Sequence, residues 1–315
     1  MKAADKIALA RYKKKLALAR SSGATLNLFE TKDEQIARIE RAKKDVRFCV
    51  EYYFPHYATS ECADFHVEFA NMVKRDKTFK GFAEWGRAQA KSVWNDIIIP
   101  FWLWINDEPM YLVLIGNNSN RAGQLLEDIR AEFEANTRII ADFGEQHNPG
   151  SWEDGFFITT GGFIGQALGT GQSVRGLRVG SRRPTHIVPD DIEIKDTIKN
   201  PKRQLEIVRW IEGDLIPTMD GTHRRFIQAN NRAYPVMIQT VLQERHPKWK
   251  IHHIKAYDPV TYKPTWHQKY PDNYFKDIET EIGTLAALAE FNNEPHVEGT
   301  IFKEEMIQWG KRPRI

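Results

Sequence analysis

Two short segments carry residue types that suit phosphoryl chemistry. The first, Gly86-Arg87-Ala88-Gln89-Ala90-Lys91-Ser92, lies between a strand-like stretch, Phe79 to Trp85, and a helix-like stretch opening near Lys91. Small residues at a strand-to-helix turn let backbone N–H groups close around phosphates, and the helix N-terminus adds a favourable dipole. In such a cradle Lys91 would reach the β- and γ-phosphates and Ser92 would ligate magnesium. The fit to the glycine-rich phosphate-loop pattern is imperfect, because Ala90 replaces the second glycine and Trp85 stands in the place of the first. The second segment, Thr185-His186-Ile187-Val188-Pro189-Asp190-Asp191-Ile192-Glu193, puts acids at the end of an apolar strand. In an open α/β sheet that end faces the ligand crevice, where one acid can hold a magnesium ion and another can orient water. Each segment alone also reads as plain surface, a helix start or a solvated turn. Their order and their placement on these elements favour a nucleotide site.

The elements that would position them alternate from Phe79 onward. Met110 to Gly116 is the near-continuous apolar run of a strand buried on both faces. Ala122, Leu125, Leu126, Ile129 and Phe133 recur at helical spacing. Phe156 to Thr160 and Gly161 to Ile164 suggest a hairpin, and short strands are expected at 185–188, 225–229 and 249–257. Helices are expected at 201–215, 235–244 and 274–291. Such alternation predicts a mostly parallel sheet covered on both faces. Ahead of it, residues 1–20 read as a basic helix broken at Ser21-Ser22-Gly23, and Thr31 could cap a second helix to about Arg47.

The 315 residues are 28% charged and 41% hydrophobic, which fits a folded globular chain. The longest apolar run, Ile97 to Trp104, is short for a membrane span and contains Pro100. Lys13, Lys14 and Lys15 interrupt what would be a signal peptide's apolar block, and Cys49 and Cys62 are too few for a disulfide framework. A net charge of +3 does not announce nucleic acid. Lys2, Lys6, Arg11, Lys13, Lys14, Lys15 and Arg20 nevertheless cluster near the amino end, as an arm for DNA phosphates or as a solvated helix face. His56, Cys62 and His66 raise a metal reading, but a closed zinc site needs four ligands. His252 and His253, as neighbours in a strand, point to opposite faces.

Together these segments resemble the ATPase domain of the large terminase subunit of tailed bacteriophages, from about Phe48 to the end. That family's variant phosphate loop carries an arginine at the spacing Arg87 has from Lys91, and the Asp190-Asp191 pair is similar to the acidic end of its second motif. Phe54-Pro55-His56 with Phe65-His66 looks like its entry segment near the nucleotide base. Glu134, Asn136 and Asp142-Phe143-Gly144 resemble its pattern after the second helix, and Gly169 to Gly176 its glycine-rich stretch. Trp266, Tyr270-Pro271, Gly283, Phe291, Pro295, Gly299 and Phe302 resemble the end of the domain and its exit linker.

The resemblance implies a P-loop NTPase with a central sheet flanked by helices. Residues 1–47 would be a basic helical segment, 48–295 the ATPase domain, and 296–315 a linker. The family's nuclease domain would begin where this sequence stops at Ile315, so cutting is not expected from these residues. Asp190 would be the magnesium-linked acid beside Ser92. The family's usual glutamate after that aspartate is missing, so Asp191 is preferred for polarising water, with Glu193 the alternative. Arg87 could neutralise the γ-phosphate within the subunit. Arg175, or Arg178, could do so from a neighbour in a ring. Asn230, in Gln228 to Asn231, would sense the γ-phosphate. ATP and Mg2+ are the implied ligands, and double-stranded DNA, a portal protein, a small terminase subunit, a procapsid and further copies of the chain the implied partners. The implied location is the host cytoplasm, transiently at the procapsid portal. A helicase-like ATPase and a non-enzymatic DNA-binding module are the rival readings.

Overall fold

A computed structural model of the chain describes residues 3–27 and 29–296. Its centre is an eight-stranded sheet: β1 (Lys80–Trp85), β2 (Tyr111–Gly116), β3 (Trp152–Glu153), β4 (Phe156–Ile158), β5 (Ile164–Gly169), β6 (His186–Pro189), β7 (Arg225–Ala229) and β8 (Lys250–Ile254). The order across the sheet is β3-β4-β5-β2-β6-β7-β1-β8. All pairings from β5 to β8 are parallel, and the β3–β4–β5 edge is antiparallel. The chain is therefore α/β with a mostly parallel sheet, as the alternation of elements predicts.

The helices are α1 (Ala3–Ser21), α2 (Lys32–Lys44), α3 (Val46–Tyr53), α4 (Asp64–Arg75), α5 (Ile99–Ile105), α6 (Ser119–Ala135), α7 (Thr137–Phe143), α8 (Lys195–Ile198), α9 (Pro201–Trp210), α10 (Ile238–Arg245), α11 (Tyr274–Ile282) and α12 (Thr284–Asn292). They cover both faces because the strands alternate. Leu112 and Leu114 of β2 join Phe69, Phe101, Leu126 and Phe133 in one buried cluster. Val113 and Ile115 join Ile207, Val208, Ile238 and Leu242 in the other. The apolar run is buried from Ile97 to Leu103, with Trp104 half-buried, and no helix among the described residues is long and apolar enough to cross a membrane.

Two expected helices are split. Thr31 does cap α2, in a reciprocal capping box with Glu34, but Asp45 accepts from the Arg47 and Phe48 amides and starts α3 afresh. Gly283, at φ 88°, divides the expected last helix into α11 and α12. The amino-terminal basic residues divide as well. Arg11 pairs with Glu127 at 2.6 Å and Lys15 with Asp128 at 2.8 Å, both on α6. Lys6, Lys13, Lys14 and Arg20 are exposed. Arg38 binds the fully buried Asp142 carboxylate at 2.5 Å, fixing α2 to α7. Lys2, Gly299, Phe302 and all of the expected linker beyond His296 lie outside the described residues.

Candidate functional site

The segment from Gly86 to Ser92 leaves the carboxyl end of β1. Gly86 has no side chain because the end of α12 lies against it: a Cβ there would sit 1.8 Å from the Phe291 carbonyl oxygen. The Gly86 amide donates to Ile254 O and the Arg87 amide to Glu290 O, both at 2.9 Å. Ala88 and Ala90 follow in left-handed conformations, φ 69° and 57°. Each costs an L-residue about 1–2 kcal/mol, so the surroundings must hold them there.

Two buried side chains do so from behind. The Tyr270 hydroxyl donates to Ala88 O at 2.8 Å, and His66 Nε2 to Gln89 O at 2.9 Å. His66 Nδ1 accepts from the Ala63 amide at 3.1 Å, which leaves the ring proton on Nε2. Burial pushes this histidine down to about 3, so it stays neutral.

A helix opens at Lys91 and widens into a π-helical turn over Val93–Ile98 before α5. Such turns are often found at functional sites. Ser92 Oγ donates to Asp190 Oδ2 at 2.7 Å. Asp190, at the end of β6, is fully buried, and its Oδ1 has no hydrogen-bond partner among the described residues. Burial, then the nearby Asp191, raises its carboxyl to about 6, against the pull of Lys91 and the Ser92 hydrogen bond. Asp96, inside the π turn, is also buried. Burial and the facing Asp190 hold its carboxyl well above the usual range.

Beyond Asp190 the strand does not continue. Asp191 takes a left-handed φ of 45° and donates its amide to Ala229 O at 3.3 Å, so face alternation does not order the acids here. Asp191 is exposed at the cleft. Glu193 is turned back against β7 and α10 and accepts from the Ile238 amide at 2.7 Å, the Gln239 amide at 3.2 Å and Asn230 Nδ2 at 3.2 Å. Burial raises its carboxyl to about 7, and these three donors oppose the rise. The position at the start of α10 suits a negative charge. Between β6 and β1 runs β7, which delivers Asn230 midway between the acids and the loop.

Gly86, Arg87, Ala88, Gln89, Ala90, Lys91, Ser92, Asp191, Glu193 and Asn230 line one cleft of about 550 Å³, with Asp190 beneath its floor. This arrangement can hold an anion against the loop amides and Lys91, and a cation between Ser92 and Asp190. Among the described residues no cluster of three or more His, Cys, Asp or Glu could hold a metal alone. The unpartnered Asp190 Oδ1 fits a magnesium ion taking its other ligands from phosphate and water.

Arg175 is not in this cleft. Its side chain is 86% exposed and pairs with Asp214 at 3.1 Å in a separate depression that includes Arg183. Arg178 is exposed on the same loop. Of the supposed base-contacting residues, neither Phe54, His56, Phe65 nor His66 lines the cleft. His56 Nε2 binds Glu132 at 2.8 Å, and His66 supports the loop from below. Glu134 and Asn136 are joints: Glu134 accepts from Tyr12 and Trp152, and Asn136 donates to Tyr53 O. His252 accepts from Trp85 Nε1 and His253 binds Glu84.

Three residues of the site were given no role at the loop by the motif reading. Glu290 of α12 pairs with Arg87 at 3.1 Å and accepts from Asn231 at 3.3 Å at the cleft's edge. Asp96 stands behind Asp190, and an acid inside the apolar stretch Val93 to Ile105 was the available signal for it. Tyr270 lies so far along the chain from Ala88 that no local pattern joins them. A scan against protein-family models finds no match to this sequence, and a search of the curated proteins finds none.

Proposed function

We propose that this chain is a magnesium-dependent ATPase that translocates double-stranded DNA, the motor domain of a viral terminase large subunit. The observation that carries the proposal is the 2.7 Å hydrogen bond from Ser92 to the buried Asp190. It joins the helix start after the loop to the acid at the end of β6. A magnesium ion held at Ser92 Oγ and Asp190 would neutralise charge building on the β- and γ-phosphates. Lys91 and the amides of the loop would bind the same phosphates. Arg87, once released from Glu290, reaches the γ-phosphate from within the subunit.

In this reading the water is oriented by a carboxylate, and the geometry favours Glu193 over Asp191. Glu193 is bonded to Asn230 and is raised toward neutrality, as suits a general base. Asp191 is exposed and faces the cleft across the kink. The Glu193 hydrogen bonds to the start of α10 give a route by which phosphate release could shift an outer helix. Arg175 and Arg178, remote from their own cleft, suit a role toward the cleft of a neighbouring subunit in a ring. A portal protein, a small terminase subunit and a procapsid belong to this proposal, as does a host-cytoplasmic setting.

The test is ATP turnover by the purified chain with magnesium, with and without double-stranded DNA, alongside a strand-displacement assay. DNA-stimulated turnover without strand separation supports a packaging-type motor. Strand separation would move the reading to a helicase, and DNA binding by a chain with no nucleotide affinity would reduce it to a binding module.

A further inference from the structure

We propose that His66 and Tyr270 are positioning residues that hold the Gly86–Ser92 loop in its anion-binding shape, doing for two alanines what glycine does in an ordinary phosphate loop. This inference rests on the reading of that loop as a phosphate cradle.

The geometry of the peptide units carries the argument. A trans peptide is planar, with its C=O and N–H pointing in opposite directions. The Ala88 carbonyl is drawn back to the Tyr270 hydroxyl at 2.8 Å, so the Gln89 amide points the other way, toward the cleft. The Gln89 carbonyl is drawn back to His66 Nε2 at 2.9 Å, so the Ala90 amide turns the same way. Among the described residues the amides of Ala88, Gln89 and Ala90 make no backbone hydrogen bond, as amides kept for an anion should. Ala88 and Ala90 occupy left-handed conformations that alanine adopts reluctantly, and a flip of either peptide would relieve them. The two tethers oppose that flip.

Both tethers are themselves fixed. His66 is fully buried and its ring lies flat on Trp94, with centroids 4.8 Å apart and planes 2° from parallel. Trp85 and Trp266 meet it edge-on at 5.3 and 4.7 Å. The Ala63 amide occupies Nδ1, so the ring cannot present an acceptor to Gln89 O. Tyr270 packs on Trp266 and Phe275, which brings the segment after β8 under the loop.

The test compares binding of a fluorescent ATP analogue, with magnesium, to the wild type, Tyr270→Phe, His66→Phe and the pair. Each change removes one donor and keeps an aromatic ring, and urea melts confirm that each variant folds. Ala88→Gly and Ala90→Gly are then added to the wild type and to the Tyr270→Phe protein. Each tether variant should bind about tenfold more weakly, the size of one hydrogen bond. The glycines should recover most of the Tyr270→Phe loss, by a larger factor than they change the wild type. A loss due to general loosening would not be rescued by adding flexible residues. Unchanged affinity in the folded tether variants, with Lys91→Ala still weakening binding, would overturn the inference and leave the nucleotide reading standing. No binding by the wild type would overturn the cradle reading, and this inference with it.

Discussion

Replacing Glu193 by glutamine separates two consequences of its position. Burial raises this carboxyl from 4.5 to about 7, against three hydrogen-bond donors. Between those values the folded chain keeps a proton that the unfolded chain has released. Stability therefore falls as pH rises from about 4.5 to about 7, and is level above. At about 1.4 kcal/mol per tenfold change, the interval corresponds to roughly 3 kcal/mol. The side chain keeps some solvent exposure, which reduces the figure to about 2 kcal/mol. Glutamine never carries the buried charge, although its single amide oxygen can replace only one of the carboxylate oxygens that accept from Ile238 and from Gln239 with Asn230, a fixed cost that does not vary with pH. In urea melts, Glu193→Gln should thus gain about 2 kcal/mol over the wild type between about pH 5 and about pH 8. ATP turnover should move the other way and fall by about 10²–10⁴-fold, the usual contribution of a positioned base. A stability difference that ignores pH would refute the burial argument, and turnover that survives would refute the assigned role.

Further substitutions probe the rest of the frame. Gly86→Ala places a Cβ on the Phe291 carbonyl, so α12 must shift; a loss of about 1–3 kcal/mol in urea, with weakened nucleotide binding, is expected. Asp142→Asn breaks the buried pair with Arg38 and should cost about 3–5 kcal/mol by chemical denaturation. Asp96→Asn removes a buried carboxyl that burial and the facing Asp190 hold well above its usual range, so in urea melts the variant should gain stability over the wild type as pH rises above about 4.

The central sheet was legible where a buried parallel strand is written as an apolar run: Tyr111–Gly116 emerges where the pattern puts it. Less legible was β5, whose Gly165, Gln166 and Gly169 carry no apolar signal although the strand is central to the sheet. Its glycines answer to packing instead: a Cβ on Gly165 would meet the Phe157 ring at 2.4 Å. That the Gly86–Ser92 segment and the acids after β6 meet at one cleft was legible because each follows the carboxyl end of a parallel strand. The order of Asp190, Asp191 and Glu193 could not, because it depends on the left-handed turn at Asp191, a residue with no glycine to announce it. Tyr270 and Glu290 reach the loop only through tertiary folding, and sequence spacing holds no trace of that approach.

The most direct test of the central claim is a magnesium–ATP binding titration on the wild type and on Lys91→Ala. The account predicts saturable binding that weakens roughly tenfold to a hundredfold in the variant, the size of a lost hydrogen bond to charged oxygen. No binding by the wild type, or binding indifferent to Lys91, would contradict it.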